Sequence, residues 1–292
     1  MTGRAADVGI VVVHFGDPAP TLACLAALRA DRSTCLRRVT VVDNSGSLLD
    51  GDAVGTTVVR PGRNLGFGAG ANAGVAALGP EPPPVLVVLN NDVEVTDGFL
   101  DAAAAALGRP GVGAAGGPLY LDRPGGALWY AGGGVNWLAG TVLQSRSAGA
   151  AGQARDVGFI PGAALALGGA AWREAGGFDP AYFLFHEDLD LCLRLRRRGW
   201  RLRFEPAMAA VHRLGATTGS GERSPLYLEE LTATRLRPFR PLAYRLYLAT
   251  LQTVYVALRA LRWRLAGRGD AGRAAARALL RGHRRALATV LE

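Results

Sequence analysis

Apolar residues in the first third of the chain fall in short blocks separated by polar turns. Residues 8–15 form a Val-rich run, the pattern of a strand buried on both faces of a parallel sheet. Residues 20–29 alternate apolar and small side chains at helical spacing, and a second apolar block, 39–42, ends in Asp43-Asn44-Ser45-Gly46. A third strand is predicted at 56–59. It leads into the Gly-rich segment 63–74, a helix reaching Leu78, a Pro-rich linker, and a fourth strand at 85–89 that ends in Asn90-Asn91-Asp92. Strands and helices alternating at this length predict an open α/β sheet with right-handed crossovers. Ligands of such sheets bind beyond the carboxyl ends of the strands, where Asp43 and Asp92 both fall.

The pattern then changes. Residues 111–147 are Gly-rich, with Trp129, Tyr130 and Trp137 interspersed, and read as short strands and loops. A further buried strand is predicted at 159–167, then a short helix at 172–178 closed by Gly176-Gly177. Residues 189–198 make an amphipathic helix, with Leu189, Leu193 and Leu195 inward and Arg194, Arg196, Arg197 and Arg198 outward. From about residue 222 the chain reads as helices interrupted at Pro238 and Pro241. Leu246, Leu248, Leu251, Val254, Tyr255 and Leu258 form an apolar face there, followed by Arg259, Arg262, Arg264 and Arg268.

The net charge of +9 is confined to that tail. Residues 1–221 hold 19 Arg and 19 acidic residues, whereas 222–292 hold 14 Arg and 5 acidic residues. Nucleic-acid binding is not expected, because the tail's Tyr and Trp sit on an apolar face and not among groove-reading elements. Two readings fit the tail: its face lies in the interface of an anionic membrane, or it packs on the preceding domain. No segment reaches the roughly 18 apolar residues of a span, and the first apolar run lacks a cleavage pattern, so no signal peptide is expected. Cys24, Cys35 and Cys192 stand at unrelated spacings and read as reduced core thiols of a cytoplasmic protein.

Several segments could carry chemistry. The carboxylate of Asp43 could accept from the N–H of a nucleotide base, and Asp92 could bind a divalent cation that shares phosphate oxygens. The run 64–72 contains GxGxG, not the GxGxxG of hydride-transfer cofactors, and follows the third strand instead of the first. Glu187, Asp188 and Asp190 crowd the start of a helix behind the apolar Phe183-Leu184-Phe185. Helix-start electrostatics would favour such acids, and crowding in an apolar setting also raises carboxyl pKa values, as a general base requires. His212 follows a short strand-like segment and is either a metal ligand or a polar strand end.

In chain order the pieces are Val11-Val12-Val13-His14-Phe15, Val41-Val42-Asp43-Asn44-Ser45, Asn64-Leu65-Gly66-Phe67 with Asn72, and Leu89-Asn90-Asn91-Asp92-Val93. They continue with Pro161-Gly162-Ala163, Gly176-Gly177-Phe178-Asp179, residues 187–194, Gly199-Trp200, and His212 near Gly215. This series, covering about residues 8–218, resembles the family 2 glycosyltransferases, particularly the rhamnosyltransferase-like branch. The resemblance implies a GT-A fold, with a nucleotide-binding half at 1–110 and an acceptor half at 111–221; the helical tail at 222–292 matches the family poorly and is read from its pattern alone. It implies an inverting transfer of a sugar, a deoxyhexose such as rhamnose among the candidates, from a nucleoside-diphosphate sugar to a hydroxyl acceptor that is a glycan, a lipid-linked molecule or a small molecule.

The resemblance also implies the roles: Asp43, Asn64, Gly66, Asn72 and Asn91 toward the nucleotide sugar, Asp92 and His212 on Mg²⁺ or Mn²⁺, Asp188 as base, and Glu187 beside it in the acceptor site. One departure is Asn90, which stands where the family's metal motif often has its first Asp, and a neutral oxygen there implies weaker cation binding. A sugar-phosphate nucleotidyltransferase is disfavoured, since His14-Phe15-Gly16-Asp17-Pro18 replaces the basic Gly-rich loop of that class. The remaining alternative is a non-catalytic partner subunit that binds nucleotide sugar or membrane. A peripheral membrane contact through the tail would put the protein at the inner face of the cell membrane.

Overall fold

The computed structural model describes residues 6–213, 224–265 and 269–291. Gly215, Arg268 and the expected boundary at 221/222 lie outside the described residues. The chain opens with β1 (Asp7–His14), α1 (Pro18–Ala30), β2 (Leu36–Asp43), β3 (Thr57–Val59), α2 (Phe67–Ala77) and β4 (Val85–Asn90). Asp17 caps α1 by accepting from the Ala19 N–H, with Pro18 at the first helical position, so the helix starts two residues before the apolar periodicity does.

After β4 come β5 (Val93–Val95), α3 (Phe99–Leu107), β6 (Val112–Gly116), β7 (Leu119–Tyr120), β8 (Leu128–Tyr130), β9 (Gly133–Asn136), β10 (Thr141–Gln144), α4 (Ala148–Ala151) and β11 (Arg155–Val157). Then follow β12 (Ala164–Gly168), α5 (Gly169–Ala175), α6 (Glu187–Arg197), β13 (Arg201–Phe204), β14 (Ala210–His212), α7 (Pro225–Thr234), α8 (Leu242–Leu265) and α9 (Gly269–Ala288). The main sheet has the order β11-β13-β6-β12-β4-β1-β2-β3. Its β4-β1-β2-β3 half is parallel, as expected, while β12 runs antiparallel between β4 and β6. A smaller sheet, β5-β14-β7-β8, and the β9-β10 hairpin stand beside the carboxyl edge of β4.

Three expectations need correction. The predicted strand at 159–167 is a strand only from Ala164 onward. Pro161 lacks a ladder donor, and the stretch before Ala164 instead forms part of a cavity wall. The helix expected at 172–178 ends at Ala175, because Gly176 adopts φ +76°. Arg194 does not point outward. It is buried, bonded to Asp190 Oδ2 at 2.6 Å and to the carbonyls of Ala175 and Gly177 at 2.5 and 2.8 Å, so α6 is pinned to the Gly176-Gly177 turn.

Part of the tail packs on the preceding domain, as one of the two readings expects. Leu236, Phe239, Leu248 and Ala249 join the main core, and α7, α8 and α9 share a second cluster of Leu228, Val256, Ala278 and Leu279. Leu248 of the predicted apolar face therefore faces inward. Leu246, Leu251, Val254, Tyr255 and Leu258 remain exposed.

Candidate functional site

A cavity of about 930 Å³ opens at the carboxyl ends of β1 and β4, and its wall brings together Asn64, Gly66, Asn91, Asp92, Glu187, Asp188 and His212. Residues up to 148 positions apart thus share one space. Asp43 and Asn72 are not on its wall.

Asp43 is 2% exposed and engaged by its own loop. Oδ1 accepts from the N–H groups of Ser45, Gly46 and Ser47 at 3.1, 2.7 and 3.3 Å, and Oδ2 from Leu48 N–H at 3.1 Å. Burial raises its pKa, but these backbone donors outweigh burial and hold it below the usual carboxylate range. Behind it stands His14, whose Nδ1 and Nε2 lie 2.6 and 2.8 Å from the hydroxyls of Thr21 and Ser47. Burial lowers the His14 pKa despite nearby Asp43. Asn91 Nδ2 donates to the same Thr21 hydroxyl at 3.2 Å, linking the end of β4 to this network.

Asn44 and Asn64 shape the Gly-rich loop. Asn44 donates to Gly66 O at 2.9 Å, and Asn64 Oδ1 accepts from Gly66 N–H at 2.9 Å. Gly66 itself has φ +79°, and a Cβ there would lie 2.0 Å from Phe183 O, so only glycine fits. Asn72 clasps the Phe178 backbone, donating to its carbonyl at 2.8 Å and accepting from its N–H at 3.0 Å. The sequence motif containing Asn72 thereby joins α2 to the segment leading into α6.

Asp92 and His212 sit side by side because β5 pairs with β14 in a register that puts His212 opposite Val93. Nε2 of His212 is 3.2 Å from Asp92 Oδ1, with both residues at most 5% exposed. Asp92 Oδ1 and His212 Nδ1 have no hydrogen-bond partner among the described residues. A carboxylate and an imidazole left short of partners suit a divalent cation that takes its other ligands from water and diphosphate. No cluster of three or more His, Cys, Asp or Glu side chains capable of holding a metal occurs among the described residues, so the protein alone supplies a sparse set.

The acid pair lies at the start of α6. Gly162 N–H donates to Asp188 Oδ2 at 3.0 Å, and Leu189 N–H to Oδ1 at 2.7 Å. A Cβ at Gly162 would meet Phe67 at 2.9 Å, which accounts for glycine in Pro161-Gly162-Ala163. Glu187 is 6% exposed, and its Oε2 has no partner. Burial raises both pKa values, Glu187 further through the adjacent Asp188 charge, while backbone donors temper the rise at Asp188. The two backbone donors favour the pair's charge on Asp188, so a proton shared by the two is held more readily by Glu187.

Ahead of α6, Phe185 and His186 both adopt left-handed backbone angles, φ 68° and 64°. Such residues cost about 1–3 kcal/mol each and persist where surrounding structure enforces them. Here α7 does so: the Phe185 ring packs edge-on against Tyr227 at 4.7 Å, and His186 Nδ1 lies 3.0 Å from Thr234 Oγ1. Burial, aided by the Arg235 charge, lowers the His186 pKa to about 4, so the ring is neutral. Arg235, Gln252 and Tyr255 from the tail complete the far wall. Arg235, Gln252, His14 and His186 carried no expected role in the site, because their significance arises from packing against residues that are not their neighbours in sequence.

Residues 7–237 match the family described as Glycosyltransferase like family 2. Among curated proteins, the chain is 31% identical over 189 residues to N-acetylglucosaminyl-diphospho-decaprenol L-rhamnosyltransferase of Mycobacterium tuberculosis, covering 56% of this chain and 61% of the relative. The chain thus spans about three fifths of the length of that relative. Among solved structures, GalNAc-T7 with UDP, GalNAc and Mn²⁺ superposes with a TM-score of 0.60 at 16% identity, over 79% of this chain and 48% of the other. A mannosyltransferase from Pyrobaculum calidifontis, in complex with GDP-Man and Mn²⁺, superposes with a TM-score of 0.55 at 14% identity, over 97% and 88%. The sheet order, the cavity at the strand ends and the match over residues 7–237 agree: the chain has the GT-A fold and belongs to glycosyltransferase family 2.

Proposed function

We propose that this protein is an inverting glycosyltransferase that moves a sugar, a deoxyhexose such as rhamnose, from a nucleoside-diphosphate donor to a hydroxyl of a lipid-linked diphosphate acceptor. The observation that carries this reading is the shared cavity of Asp188 and the Asp92–His212 pair. The donor lies toward Asn64, Gly66 and Asn91, with the Asp43 loop shaping the nucleotide end. A divalent cation held by Asp92 and His212 would supply positive charge beside the diphosphate. Asp188, oriented by two backbone donors, accepts in its ionised form the proton of the acceptor hydroxyl as its oxygen bonds to the anomeric carbon and the bond to the diphosphate breaks. Glu187, carrying the pair's proton, can hydrogen-bond the acceptor without adding negative charge.

Two features support a lipid-linked acceptor. The mycobacterial relative is named for a diphospho-decaprenol acceptor, and the tail side of the cavity is apolar, with Leu228, Leu231 and Tyr255 on its wall. Tyr255 also belongs to the exposed face of α8, which we read as a surface for the cytoplasmic leaflet of an anionic membrane. No described helix is long and apolar enough to cross a membrane.

The test is transfer of label from a panel of nucleoside-diphosphate sugars to bacterial lipid extract by the purified full chain, followed by organic extraction. Label in the organic phase with one donor supports the proposal. Absence of transfer, together with no nucleotide binding, would reduce the chain to a partner subunit.

A further inference from the structure

Arg235, the residue that ends α7, stands on the cavity wall without an ion-pair partner among the described residues. The buried guanidinium described above, that of Arg194, is matched by Asp190. Of the five donors on the Arg235 guanidinium, one is committed, to Ala139 O at 2.6 Å, and Nε has no partner. Burial lowers its pKa, opposed by Tyr255 and Tyr244 and by no carboxylate. The acid pair does not use this charge, and neighbouring His186 is neutral. On the same wall the Gln252 side chain, 1% exposed, has an Oε1 with no partner. A half-buried, desolvated cation without a counter-charge is unfavourable unless an anion joins it.

We propose that Arg235 is the contact for a diphosphate group on the acceptor. The inference rests on the transferase reading above and adds to it the residue by which the acceptor is recognised. A guanidinium suits this task because its planar fork meets phosphate oxygens with two parallel hydrogen bonds. Its place at the end of α7 couples recognition to the active turn, since the preceding Thr234 holds His186, the residue next to Glu187. The apolar residues beyond it would meet the first carbons of a hydrocarbon chain. Arg235 is thus a specificity-determining residue on the acceptor side, separate from the donor's cation site at Asp92 and His212.

The experiment uses the full chain, with the donor site first saturated by the nucleoside diphosphate that most raises its melting temperature. Decyl diphosphate, inorganic pyrophosphate and neutral decyl glucoside are then titrated calorimetrically into wild type, R235Q and R235K. The expected result is tight decyl diphosphate binding that weakens about 10–100-fold in R235Q, the range for losing a charged hydrogen-bond partner. R235K, which keeps the charge and the packing, should recover part of that loss, and nucleoside diphosphate affinity should be the same in all three. Pyrophosphate binding as tightly as decyl diphosphate, with the same dependence on Arg235, would keep the anion contact and assign it to a water-soluble diphosphate. The inference is overturned if R235Q binds decyl diphosphate as wild type does, if decyl glucoside binds equally well, or if nucleotide-loaded wild type binds no decyl diphosphate. Failure of the transferase reading would look different: no nucleoside diphosphate would bind at all.

Discussion

The hydroxyl of Thr234 lies 3.0 Å from Nδ1 of His186, joining the last residue of α7 to the residue just before the acid pair. Because His186 and Phe185 are both held at positive φ, this contact counteracts backbone strain at the point where Asp188 is aimed. In T234V the melting temperature should fall modestly, by the equivalent of about 0.5–1.5 kcal/mol. Turnover should drop about tenfold or more while nucleotide affinity holds, since small misplacements of reacting groups are costly. Parallel thermal melts, nucleotide titrations and initial rates would check this, and unchanged turnover would detach α7 from the chemistry.

Asp188→Asn keeps the shape of the side chain and removes its basicity. The variant should fold, bind nucleoside diphosphate as wild type does, and lose about 10²–10⁴-fold in turnover, the usual contribution of a general base. Glu187→Gln should lose less, because Glu187 acts in its neutral form. Rates for both variants, measured at saturating donor, decide the order.

Both carboxyl groups of the pair titrate above the ordinary carboxylate range in the folded protein, Glu187 through burial and then the Asp188 charge. Two opposite pH trends follow. Turnover should fall as pH drops through the raised range, because the base becomes protonated. Stability should fall as pH rises through that same range, because the folded state binds more protons than the unfolded chain until it is forced to ionise. In E187Q the stability slope should flatten near neutral pH, which denaturant melts at a series of pH values would reveal.

Chelation tests the Asp92–His212 pair. In wild type, nucleoside diphosphate at about 100 times its dissociation constant should stabilise by roughly 2.7 kcal/mol, and EDTA should remove most of that gain. D92A and H212A should show little nucleotide-induced shift with or without Mn²⁺. A shift of wild-type size in both variants would relocate the cation.

Gly66→Ala would drive a Cβ to 2.0 Å from the Phe183 carbonyl oxygen at a φ of +79°. A loss of more than about 2 kcal/mol in chemical denaturation is expected, with weaker nucleotide binding in whatever remains folded. Alanine tolerated at no cost would mean that the loop does not meet the α6 approach as described.

The sequence made the parallel half of the sheet legible because each of its buried strands is an unbroken apolar block closed by polar residues, as at Val41-Val42-Asp43 and Leu89-Asn90-Asn91. Asp92, Asp188 and Glu187 were legible for the same reason, as acids at the ends of apolar runs. Asp43 was expected to face a nucleotide base, and pattern alone could not show that the loop's own N–H groups would claim both of its oxygens. Arg194 misled because a helix of alternating Leu and Arg looks one-sided, and only the Ala175 and Gly177 carbonyls reveal a buried partner set. Arg235 and Gln252 carried no local signal, since their meaning depends on how α7 and α8 return to the site. Leu248 separates from the other members of the predicted apolar face because it packs into the core while they stay exposed, a division that apolar content alone does not reveal.

Leu248 fills the space that a side chain at Gly140 would need, only 2.6 Å from an ideal Cβ there. The turn of the β9-β10 hairpin is therefore keyed to α8, and the hairpin in turn contributes Thr141, Val142 and Gln144 to the cavity. Two surfaces distant in sequence behave as a single jaw. Acceptor choice could then diversify by exchange of this jaw as a unit, leaving the acids and the nucleotide end untouched, whereas grafting the hairpin or the helix alone would deliver a part without its hinge.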